Sequence, residues 1–242
     1  HSFNSCHNVN PSTGFEPGGG TTIMSYAGIC SDNTNNLQSF TDDYFHVVSL
    51  EEIFRYTTGG EGRGCATRLP TTNRPPVVRI PRSSGFQIPI STPFELRAEG
   101  EDPDGDALTY CWEQFDLGPE LSPPGAPEGD SPLFRSFAPE GSPVRIFPKL
   151  AKIINRSFDR SEVLPAYSRN LTFRCTVRYN HPEAGGVDWA EISFRSDRTA
   201  GPFRVVRPNG GPDQGWEAGA YTSVTWDVAN TDNERVNCQL IN

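Results

Sequence analysis

Between Leu171 and Tyr179 the chain alternates without a break. Leu171, Phe173, Cys175, Val177 and Tyr179 are separated by Thr172, Arg174, Thr176 and Arg178. A period of two sends successive side chains to opposite faces, so this segment is expected to be a strand with one buried and one wet face. Phe94, Leu96 and Ala98 repeat the pattern, as do Leu108, Tyr110 and Trp112, and Trp189 to Phe194 reads as a further strand. Residues 117–130, rich in Pro, Gly and Glu, read as a long irregular loop over one end. Several short strands, turn-rich connections and no periodic helix imply a two-sheet β-sandwich over residues 77–200.

The flanks differ. Residues 1–69 are rich in Gly, Asn and Ser, with one expected helix. It should start at Ser49, whose hydroxyl and the Glu52 carboxylate make a capping box. Leu50, Ile53 and Phe54 would form its apolar face, and Gly59-Gly60 would end it. Such a segment is expected to complete a domain whose larger part lies outside these 242 residues, and an upstream peptide is expected to pack on it. His1 in place of Met implies processing or excision, with any leader upstream. Residues 70–76 read as a linker. Residues 201–242 carry Phe203 and Val205, then Val224, Trp226 and Val228, which suggest two strands and the start of a second sandwich cut short. The expected fold class is therefore mixed and mainly β.

Lys and Arg total 21 against 30 Asp and Glu, a net charge of -9. That balance argues against nucleic acid as a partner, because phosphates need a basic face. No run of about 18 apolar residues offers a membrane span. The six cysteines, at 6, 30, 65, 111, 175 and 238, match no metal or redox spacing and read as disulfides of a secreted or cell-surface protein. Cys111 and Cys175 lie in two strands of one module and are expected to be joined. The alternative is that Cys111 faces away from Leu108, Tyr110 and Trp112 and does not pair with Cys175. Cys6, Cys30 and Cys65 are odd in number, so one is expected to pair outside the chain, as is Cys238. Asn155-Arg156-Ser157 and Asn170-Leu171-Thr172 fit the glycosylation pattern.

The chemistry concentrates near the front. Gly18-Gly19-Gly20 precedes Thr21-Thr22-Ile23-Met24-Ser25-Tyr26. On physical grounds this is a glycine turn followed by a small core strand, with Met24, the only methionine, filling space. The stretch Ile23-Met24-Ser25-Tyr26 also resembles the Met-turn of the metzincin zinc endopeptidases. The opening His1-Ser2-Phe3-Asn4 is similar to the end of that family's long zinc motif. The run from Ser39 to His46, with the helix after it, resembles a bacterial reprolysin-like branch, in which cadherin- or immunoglobulin-like modules follow the peptidase. The stretch from Asp102 to Tyr110 resembles the matching part of such modules.

The resemblance implies that residues 1–69 are the C-terminal portion of the peptidase. It implies that His1 is the third zinc ligand, that Met24 lies beneath the metal, and that Tyr26 stabilises the transition-state oxyanion. It also implies a protein or peptide substrate. The family's first two histidines and its general-base glutamate are absent from this sequence. Zinc catalysis needs three protein ligands, an open position and a base. The chain alone is therefore expected to be inactive, with zinc belonging to the complete peptidase. Asp102, Asp104 and Asp106, spaced by Pro103 and Gly105, could offer oxygen ligands to calcium. They equally suit a solvated β-turn. His7 and His46 read as surface or packing residues, and His181 shows no partner in the sequence. Two functions stay open: a fragment of a secreted zinc endopeptidase, or a non-enzymatic extracellular binding or adhesion protein built of sandwich modules.

Overall fold

The computed structural model describes residues 2–67, 69–119, 121–179, 181, 184–209 and 218–238. Its centre is the alternating run: strand β7 (Arg169–Tyr179) pairs antiparallel along its whole length with β8 (Gly186–Asp197). On the other side of β7 lies β5 (Thr109–Gln114), also antiparallel, and beyond β8 lies β2 (Gln87–Pro89), in parallel. This four-stranded sheet is faced by β3 (Phe94–Arg97) paired with β6 (Val144–Phe147). Strands β1 (Val77–Arg79) and β4 (Glu99–Glu101) make a second short pair. A helix of five residues, α2 (Leu150–Ile154), follows β6. The protein is thus mainly β, with few helices and several sheets.

The two layers meet in a cluster of phenylalanines. Phe147 from β6 lies 4.8 Å from Phe173 of β7, ring centre to ring centre, and Phe94 of β3 lies 5.9 Å from Phe173. Phe134 and Phe194 complete the cluster at 5.1 Å from Phe147 and 5.8 Å from Phe173. Aromatic pairs at these spacings add to the burial of their large apolar surfaces. The alternation of β7 explains why: Leu171, Phe173, Cys175 and Val177 all turn into this core, and Tyr179 is buried at the strand's end.

The other face of β7 is not wet. The front segment covers it, and this differs from the sequence reading. Arg174 pairs with Glu51 at 2.6 Å and stacks over Phe115, which in turn stacks on Phe15. Arg178 donates to the Phe45 carbonyl, and Thr176 is fully buried. Polar side chains on a strand can face water or another polar surface, and here the partner is residues 15–51.

Two further expectations change. Helix α1 runs from Val47 to Thr58 and is capped by His46, not Ser49. The His46 ring accepts a hydrogen bond from Val48 N, and the helix buries Val47, Val48 and Ser49, while Ile53, Phe54 and Tyr56 stay exposed. The expected bond between Cys111 and Cys175 is absent. In the antiparallel register Trp112 stands opposite Cys175 and Cys111 opposite Thr176, so the two thiols point to opposite faces of one sheet. Cys6 bonds instead to Cys30 within the front segment, and Cys65 is an exposed thiol. The stretch read as a linker is tied down: Asn73 donates to Tyr179 and Arg74 to Asp104. Beyond it, β9 (Arg204–Arg207) pairs antiparallel with β10 (Thr225–Asp227).

Candidate functional site

The front turn is organised around one carboxylate. Glu16 is buried and accepts from Thr21 N at 2.8 Å, Thr22 N at 3.0 Å and Thr22 Oγ1 at 2.7 Å. It also accepts from the Thr21 and Ser2 hydroxyls. Burial alone would raise its pKa. His46 and the bonds from Ser2, Thr22 and Thr21 outweigh that and hold the carboxyl below its ordinary range. The chain reaches this anion through Gly20, at φ +73°, where a Cβ would sit 2.7 Å from the Ser25 Cβ.

Above the clamp the turn closes, with Ser25 N bonded to Thr22 O and Tyr26 N to Gly19 O. Ser2 N donates to Met24 O at 3.2 Å, and the Phe3 and Tyr26 rings stack at 4.4 Å. The structure therefore brings Ser2, Met24 and Tyr26 together. Met24 and Ile23 are 39% and 43% exposed on the outer side of the turn, and Tyr26 is half-buried against Phe3. His1 lies outside the described residues.

The acidic turn is built differently. Asp102 Oδ1 accepts from the amides of Asp104 and Asp106, a local cap around Gly105. Asp104 is taken by Arg74, whose backbone N donates at 2.7 Å and whose side chain donates at 2.9 and 3.0 Å. The backbone bond and then the guanidinium hold its carboxyl below the usual range. Among the described residues, Asp102 Oδ2 and Asp106 Oδ2 are buried without a hydrogen-bond partner. His7 bonds Ser31 at 3.0 Å. Among the described residues no three His, Cys, Asp or Glu side chains converge as a metal centre.

Besides the Glu16 clamp, two features escaped the sequence. The first is a buried polar cluster between the front segment and the sheet. Glu113 of β5 accepts from Val47 N at 2.8 Å and from Ser136 Oγ at 2.7 Å, and Tyr44 donates to the same hydroxyl at 2.9 Å. His46 stands 3.9 Å from Glu113. Burial pushes up the pKa of the Tyr44 phenol and of the Cys111 and Cys175 thiols, with the Glu113 charge adding to it. Groups held so firmly protonated are not nucleophiles. The second is a cavity of about 390 Å³ where β5 and β6 part, closed by residues 137–142 and the head of α2. No residue spacing announces either, because both join segments far apart in sequence.

Comparison with family models, curated proteins and solved structures returns no match. No helix among the described residues is long and apolar enough to cross a membrane.

Proposed function

We propose that the chain is the C-terminal part of a secreted zinc-dependent endopeptidase acting on proteins or peptides, followed by an immunoglobulin-like module and the opening of another. The observation that carries this reading is the bond from Ser2 N to Met24 O. It sets the residue after His1 on the turn that resembles a Met-turn, with Glu16 bracing the turn from beneath and Tyr26 beside it. The role of His1 would be to donate an imidazole nitrogen, that of Met24 to support the site, and that of Tyr26 to steady an oxyanion. A bound zinc would supply an activated water in the complete enzyme. The turn of Asp102, Asp104 and Asp106 would hold calcium only if Asp104 left Arg74.

Zinc content and peptide hydrolysis of the full-length gene product test the proposal. Zinc-dependent hydrolysis is expected, abolished by His1→Ala and reduced by roughly two orders of magnitude in Tyr26→Phe. A full-length product with neither zinc nor hydrolysis overturns it. It would leave the second reading, an extracellular adhesion or binding protein. That reading is favoured by the way Arg174, Arg178 and Glu113 fasten the front segment into the sheet as scaffold.

A further inference from the structure

We propose that the cavity between β5 and β6 binds a small carboxylate carrying an apolar group. The inference is independent of the peptidase reading. β5 is the last strand of its sheet, and beside it the chain crosses once, with Tyr110 N donating to Glu140 O at 2.7 Å and Glu140 N to Tyr110 O at 2.9 Å. The Trp112 indole donates to Pro143 O at 3.0 Å, which fixes one wall. Val144, Ile146 and Leu150 make the rest of it apolar. About 390 Å³ lies at the small end of ligand pockets and suits a group the size of one leucine.

One charged donor on this wall has no carboxylate partner among the described residues. The Lys149 ammonium stands 3.5 Å over the Phe137 ring and pairs with no carboxylate among the described residues. Burial holds its pKa below the ordinary lysine range, against the pull of the more distant Glu140 and Glu162 charges. Arg145, also in the lining, is already engaged, with its terminal nitrogens donating to Trp112 O, Arg135 O and Glu162, which leaves Lys149 as the cation facing the cavity. An ammonium on an aromatic face retains most of its capacity for an anion. Glu140 also lines the cavity, but its side chain is exposed at the rim, where water solvates it. One cation over apolar walls fits an acceptor anion with an apolar body, and a carboxylate meets both demands.

The test titrates the whole chain with N-acetyl-leucine and with hexanoate, each beside its uncharged amide, and follows the Trp112 indole in nitrogen–proton correlation spectra. Affinity in the millimolar range is expected for at least one acid, as befits so small a ligand. Its amide should bind at least about tenfold more weakly, because the charge-assisted bond is lost. Lys149→Gln should erase that preference, and Lys149→Arg should keep it. Lys149 is partly exposed, so both variants are expected to fold, and the unliganded spectrum verifies this. Preference for N-acetyl-leucine identifies a peptide carboxyl end as the ligand, and preference for hexanoate identifies a free acid. Acid and amide binding alike, an unchanged preference in Lys149→Gln, or no shift by about 20 mM overturns the proposal.

Discussion

Glu16 shows how much a single side chain can organise. Its carboxylate gathers donors from Ser2, Thr21 and Thr22 in a place closed to water. Glu16→Gln keeps the shape but offers an amide where donors already crowd, so a loss of about 2–4 kcal/mol is expected. Because its folded pKa is depressed, this contribution is present above the unfolded value near 4.5 and is lost as pH falls through the lower folded one. Urea midpoints of wild type and variant should therefore draw together as pH falls below 4.5, and a constant gap down to the acid limb would contradict the role. Asp116 runs the other way. Burial raises it to about 6, against the bonds from Gln114, Arg169 and Thr172. Its contribution is full below the unfolded value of 3.8 and is lost as pH rises through about 6. The cost approaches roughly 3 kcal/mol by neutral pH. The carboxyl carbon of Asp116 should titrate near pH 6, and a midpoint near 4 would show that the Arg169 guanidinium outweighs burial.

At the scale of elements, the register of β5 against β7 decides the thiol chemistry. Cys111 and Cys175 should resist alkylation in the native protein and react together on unfolding, while Cys65 reacts at once. Mass spectrometry of timed samples reads this, and a peptide linking 111 to 175 would refute the register. The same strands show what sequence could convey. β7 was legible because residues 171–179 sustain one period through most of the strand, and the gap between β3 and β5 was legible from the turn at Asp102. β1, β2 and β4 are three residues each, too short for any period to declare itself. The start of α1 was misread because a histidine ring does the work that a serine in a capping box usually does. The Met-turn residues stood out only through resemblance. Glu16 stood in a loop with no pattern to mark it, although its hydrogen-bond partners Ser2, Thr21 and Thr22 all lie within 14 residues of it in the chain.

At the scale of the molecule, the front segment and the β layers are held as one body by a polar seam. Sequence suggested a loose front awaiting a partner, and by that reasoning its amides should exchange faster than those of the sheet. The structure divides the segment instead. Thr21, Thr22 and Val47 are fully buried, whereas Phe54, Tyr56 and Phe40 stand in solvent. Exchange should follow that division, with protection at Val47 close to that in β7 and little around residues 53–58. Glu113 is the point at which the seam can be cut. Removing its carboxylate in Glu113→Ala leaves Val47 N and the Ser136 hydroxyl without their acceptor and opens space beside His46. A penalty of about 2–3 kcal/mol corresponds to roughly a hundredfold rise in local opening. If the seam holds the front segment, that rise appears at residues 47–50 and around the Glu16 clamp, while Phe173 and Val177 keep their protection and the β layers their midpoint. Equal loss everywhere would mean that the front segment and the sheet share a single cooperative unit. No loss at residues 47–50 would mean that the front segment is held by its own Glu16 core and the Cys6–Cys30 bond, and that the seam contributes nothing.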